Sequence, residues 1–171
     1  EYTGWGHQFY PSGPIWTIGV EFQFYLLFPF LALFLSRFGV KYLLGLILLI
    51  VLIKFNLVVL KGGAIYSNLY HSIIGRLDQF LIGMLFAIIY KTRLVQSIKN
   101  NNVISLLLLI LSLLILSLSF GKRSFLSFTI EAICWGGVII SYLSMSLFNS
   151  KILDNVLARL GELSFSIYLL H

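Results

Sequence analysis

Long apolar runs, broken at intervals by short polar or basic clusters, organise this chain. Runs at residues 15–36, 41–60, 72–90, 103–120 and 125–148 each come near the roughly 20 residues that a helix needs to cross a bilayer, and a sixth begins near Leu163. The fourth run is nearly pure Leu, Ile and Ser. The breaks are short, such as Arg37-Phe38-Gly39-Val40 and Gly121-Lys122-Arg123-Ser124. Short connections make consecutive helices antiparallel neighbours, and lipid leaves the helix as the natural way to satisfy every backbone group. The pattern predicts an all-α polytopic transmembrane helix bundle, five spans plus the start of a sixth. It shows no internal repeat and no low-complexity linker. The second span is the least regular, because Lys54 interrupts it. Its longest uncharged run, 42–53, covers only about 18 Å. The span crosses if the Lys54 ammonium snorkels to the nearby surface; otherwise every later orientation inverts.

Composition supports a membrane class and removes others. Of 171 residues 59% are hydrophobic and only 11% charged, with a mean hydropathy of +0.97; soluble domains sit near 25% charged. A soluble chain this short could not bury so much Leu, Ile and Phe. The single Cys134 excludes an intramolecular disulfide framework. The net charge of +6 suggests a nucleic-acid partner at first sight. The basic residues lie at the ends of apolar runs, however, where they write membrane topology instead. Lys61, Lys122 and Arg123 fall on the side of segment 1–14; Arg37, Lys41, Lys91, Arg93, Lys99, Lys151 and Arg159 fall on the other. Seven against three puts the second side in the cytoplasm. Segment 1–14, with Tyr2, Trp5, His7, Phe9 and Tyr10, is then outside, at a depth where aromatic residues are enriched. The chain starts at Glu1 and stops at His171, inside an apolar pattern that began near Ser164. The expectation is a partial membrane domain over 1–171, with N-terminal helices missing.

Polar residues inside apolar spans are expensive, and so are functional candidates. In the first helix Glu21, Tyr25 and Pro29 follow one another at four-residue steps on one face. In the third, Arg76, Phe80 and Gly83 share a face, with Asp78 a little deeper on another, and Gly83-x-x-x-Ala87 offers a close helix approach. Glu21, Arg76 and Glu131 all lie about 6–9 Å below the outer surface by helical rise. A guanidinium between two carboxylates there would form the floor of an outward-facing cavity, or a purely structural ion-pair layer. In the last segment Ser164, Tyr168 and His171 make one polar stripe, which suits proton transfer or simple hydrogen bonding. His7, His71 and His171 are far apart and have no metal-ligand spacing.

Three stretches resemble the membrane-bound acyltransferase-3 family. Trp16-Thr17-Ile18-Gly19-Val20-Glu21-Phe22-Gln23-Phe24-Tyr25 through Pro29 is similar to its Trp-Ser-Leu-x-x-Glu-x-x-Phe-Tyr-x-x-x-Pro motif, with Thr17-Ile18 where Ser-Leu is commoner. Arg76 through Gly83 resembles its Arg-x-x-x-Phe-x-x-Gly helix. Leu160-Gly161-Glu162-Leu163-Ser164-Phe165-Ser166-Ile167-Tyr168-Leu169-Leu170-His171 resembles its Leu-Gly-x-x-Ser-Tyr-x-x-Tyr-Leu-x-His stretch, with Phe165 for Tyr. The resemblance implies an integral membrane O-acyltransferase, multi-pass in a bacterial inner (plasma) membrane. It would move an acyl group, often acetyl, from acyl-CoA to a hydroxyl of a cell-surface carbohydrate or glycolipid, with no bound cofactor. Glu21, Arg76 and His171 are the catalytic candidates; Trp16, Tyr25, Asp78, Ser164 and Tyr168 are the substrate-binding ones. The family's His after a basic residue on its first helix is absent: Arg159 and His171 stand one residue too far apart. The expected base would then lie before Glu1, and this piece would be inactive alone. The rival reading from another class is a transporter or channel fragment with an intramembrane polar pathway. A scaffold without an active site is the third.

Overall fold

The computed structural model describes residues 15–92, 95, 101–119, 124–145 and 151–170, and the backbone only of 15, 64, 151–154 and 165–170. The elements are α1 (Ile15–Phe38), α2 (Val40–Lys61), a 3-10 turn (Gly62–Ala64), α3 (Ile65–Tyr70), α4 (Ile73–Tyr90), α5 (Asn102–Ser119), α6 (Ser127–Ser144) and α7 (Lys151–Leu170). There is no strand among the described residues. Five helices are long and apolar enough to cross a membrane: α1, α2, α4, α5 and α6. At 18 to 24 residues they measure about 27–36 Å, which matches a hydrocarbon core of about 30 Å.

The connections explain the antiparallel order. Gly39 alone links α1 to α2, at φ 78°, a left-handed conformation that glycine adopts without strain. Its N–H donates to the Leu35 carbonyl at 2.8 Å, capping one of α1's last carbonyls. Phe34 and Tyr42 then meet across the turn, ring centres 5.5 Å apart. Between α2 and α4 the sequence predicted only a loop, and the structure places α3 there. Ser72 caps α4 by accepting from the Gly75 N–H at 3.3 Å. Gly75 makes the corner possible, since a Cβ there would run into the Leu69 carbonyl.

α4 is the hub, packing on α1, α2, α3 and α6, while α5 packs on α6. Leu43 and Ile50 of α2 and Leu81 of α4 form a buried apolar cluster, flanked by Leu77, Met84 and Leu85. Small residues bring α5 and α6 together: Ser112 and Gly137 face each other so closely that a Cβ at Gly137 would strike the serine hydroxyl. Much of the described surface is apolar, with Phe30, Leu33, Leu48, Val59 and Leu60 all exposed. In water each such side chain would forgo about 1.5–3 kcal/mol of burial; in lipid it is already solvated.

Two expectations need correction. Lys54 does not snorkel: it is fully buried, and α2 is one unbroken 22-residue helix around it. The last helix starts at Lys151, not near Leu163, because residues 151–163 continue with helix formers. Its described side chains, 155–164, are all exposed.

Candidate functional site

The ends of α1, α3 and α4 on the Lys61 side, the outer side by the charge count, enclose a cavity of about 240 Å³. Trp16, Glu21, Tyr70, Arg76, Gln79 and Phe80 are among the residues that line it. α1 reaches it through one stripe. Val20 and Phe24 are buried against α4, and Phe24 stacks on Phe80 with ring centres 4.1 Å apart. Trp16, above them, packs edge-on to His71 at 4.7 Å. Glu21 sits on the edge of that stripe and lines the cavity without an ion-pair partner among the described residues.

Tyr25, expected to contact substrate beside Glu21, does not reach the cavity. A four-residue step turns a helix by about 40° beyond one full turn. Starting from the cavity's edge, that rotation carries Tyr25 to the outside, where it is 66% exposed.

Arg76 is held by aromatic rings and neutral acceptors. Its guanidinium carbon lies 4.3 Å from the ring centres of both Tyr70 and Phe128 and 5.8 Å from that of Trp16. Ring faces attract a cation by about 0.5–2 kcal/mol each. Nε donates to the Tyr70 carbonyl at 3.2 Å and Nη1 to Gln79 Oε1 at 3.1 Å. Gln79 in turn donates to the Phe128 carbonyl of α6 at 3.2 Å. The expected stack of Glu21, Arg76 and Glu131 is therefore not formed. Glu21 shares the cavity with Arg76 but makes no ion pair with it, and neither does half-buried Glu131. Rings cover the faces of the guanidinium, and an amide, not a carboxylate, meets its edge. Donors remain available toward the cavity.

Asp78 lies away from the cavity. It was expected to bind substrate, yet it is fully buried and lines no part of the cavity. Its Oδ2 accepts from Lys54 Nζ at 2.7 Å and from Thr129 Oγ1 at 2.5 Å, and Lys54 also reaches Thr129 at 3.5 Å. This is the one ion pair among the described residues, and it ties α2, α4 and α6 together. Asp78 Oδ1 is buried with no partner there. Ser164 is exposed, and its hydroxyl donates to the Gly161 carbonyl of its own helix at 2.7 Å. The Tyr168 side chain and His171 lie outside the described residues.

Gln79, Tyr70, Phe128, Lys54 and Thr129 are absent from the sequence-derived set. Lys54 and Asp78 did carry a signal, as opposite charges inside two apolar runs. Gln79 stands three residues after Arg76 on the same helix, a spacing that the sequence does show; Phe128 carried no signal, because only the α4–α6 contact brings it to Arg76.

Searches of curated proteins and of solved structures return no match for the chain. A family model for acyltransferase domains of the acyltransferase-3 type matches residues 2–171. The match includes the Trp16–Glu21 stripe, the Arg76 helix and the terminal segment in one continuous span. Five apolar helices of membrane length agree with a multi-pass integral membrane protein. The chain belongs to the acyltransferase-3 family of membrane acyltransferases.

Proposed function

We propose that the protein carries an acyl group, acetyl as the leading case, from acyl-CoA to a hydroxyl of a cell-surface carbohydrate or glycolipid. The bilayer it would occupy is a bacterial plasma membrane, and acyl-CoA would act as a substrate, not a bound cofactor. The observation that carries the reading is the polar cavity, in which a Glu21 without an ion-pair partner among the described residues and a ring-held Arg76 line one small volume. In O-acyl transfer the acceptor oxygen attacks the thioester carbonyl. The C–O bond forms, the C–S bond breaks, and the hydroxyl proton leaves by way of a base to the departing thiolate. Glu21 has the chemistry to take that proton. Arg76, with N–H groups turned to the cavity, suits the developing oxyanion. Trp16 and Phe80 supply apolar walls that strengthen both interactions by excluding water. His171 remains a candidate for proton transfer or for orienting the donor.

The test uses membranes that carry the protein, radiolabelled acetyl-CoA and the endogenous carbohydrate acceptors. Label should enter the carbohydrate fraction as a base-labile ester. Arg76→Ala should lower the rate by about 10²–10³, the usual weight of one oxyanion donor, and Glu21→Gln by about 10² or more. Solute movement with no dependence on acyl-CoA would support the transporter reading instead. His171→Gln, which keeps size and hydrogen bonding but cannot titrate, separates a proton-transfer role from a structural one.

A further inference from the structure

A second cavity, of about 660 Å³, runs between α4 and α6. It begins at Gln79 and ends at Lys91, just beyond the last turn of α4. Those residues are separated by about 18 Å of helical rise. One leaflet of a hydrocarbon core about 30 Å thick is about 15 Å deep, so the groove has the length of a lipid chain in the leaflet on the Lys91 side. The charge count makes that leaflet the cytoplasmic one. Exposed Trp135 and Ile139 form one rim, and Phe86 lies flat on Gly136 at the base, so closely that a Cβ on Gly136 would strike its ring. Gly83 and Ala87 leave the α4 wall open.

We infer that this groove binds an anionic phospholipid of the cytoplasmic leaflet, with an acyl chain along the groove and the phosphate at Lys91. The occupant follows from three features. The lining is almost wholly apolar along its length, so a peptide-like or glycan-like occupant would strand polar groups in hydrocarbon at several kcal/mol apiece. An alkyl chain has no such cost and meets the groove walls along its length. The cation is at the headgroup end: Lys91 is exposed, and it has no ion-pair partner among the described residues. An ammonium at that depth attracts anionic lipid. The chain's tip would end beside Gln79, the amide that also holds Arg76. The inference does not depend on the acyl-transfer reading.

Native mass spectrometry of the detergent-solubilised protein, equilibrated with phosphatidylglycerol or with phosphatidylcholine of the same chains, tests it. One phosphatidylglycerol should be retained, with about fivefold preference over phosphatidylcholine, the weight of one lysine near an anionic headgroup. Lys91→Gln should remove the preference and keep chain binding. Gly83→Leu should abolish retention of both lipids while the bundle stays folded, because a Cβ at Gly83 meets nothing within 4 Å. Continued protection of the buried Cys134 thiol reports that folding. Equal retention of the two lipids by the unaltered protein, unchanged binding in Gly83→Leu, or no retained lipid at all would each overturn the site. The last outcome would mean that another protein segment covers the groove.

Discussion

Arg76 and Asp78 stand two residues apart on α4, and the bundle handles their charges in opposite ways. Two residues turn a helix by about 200°, so the side chains leave α4 on nearly opposite sides. Asp78 points to α2 and α6, meets Lys54 and Thr129, and is sealed from the surroundings. Arg76 points to α1, α3 and the first turn of α6, meets ring faces and a neutral amide, and borders an open cavity. The closed pair cancels its own charge and holds three helices together. The open site keeps its positive charge uncancelled, with Glu21 on the same cavity wall but not joined to it. A cation held by rings is positioned without being neutralised, which is what a group awaiting a developing negative charge requires.

Breaking the closed pair should have the largest effect. Lys54→Met strands a carboxylate in the core, and the expected loss of stability is about 3–5 kcal/mol. The temperature at which the buried Cys134 thiol becomes reactive measures it. Lys54→Met combined with Asp78→Leu should recover most of that loss, since an apolar pair of similar volume often replaces a buried ion pair at little cost. Equal destabilisation by the single and the double variant would show that the pair is not the tie. Next in size is Gln79→Glu, which gives Arg76 the counter-charge that it lacks and makes the open site resemble the closed one. Acyl transfer should fall about tenfold or more, the scale of one charge-assisted hydrogen bond, with thiol protection unchanged. An unchanged rate would mean that the uncancelled charge is irrelevant to turnover. The smallest effect belongs to Tyr25→Leu. Outside the cavity and exposed, it should shift stability by no more than about 0.5 kcal/mol and leave transfer untouched, whatever its place in the motif.

Much of the fold was legible because lipid imposes a simple rule. Each span must be apolar, about 20 residues long and helical, so five of the runs read directly as α1, α2, α4, α5 and α6. The boundaries of α7 were not legible, since charged residues at 151–162 hide a helix from a search for apolar runs. In the site, Glu21 and Arg76 were visible as isolated charges at one depth. Tyr25 was misplaced because a motif lists residues in order, while a helix turns them to different sides. The partners of Asp78 were not legible, because depth alone does not say which neighbour a side chain meets.

By itself the sequence determined the class of protein, the number of membrane-length helices and the family resemblance that the match over residues 2–171 now supports. These follow from composition and period, which act one segment at a time. Only the tertiary structure decided which charge was cancelled and which was left exposed. Lys54 and Asp78 are separated by 24 positions, and Asp78 and Thr129 by 51. Their meeting depends on how α2, α4 and α6 rotate about their axes when Leu43, Ile50 and Leu81 pack. Rotation of a helix about its axis moves a charge from core to cavity without altering the hydrophobic pattern's length or period. Packing therefore sets it, and the charges follow.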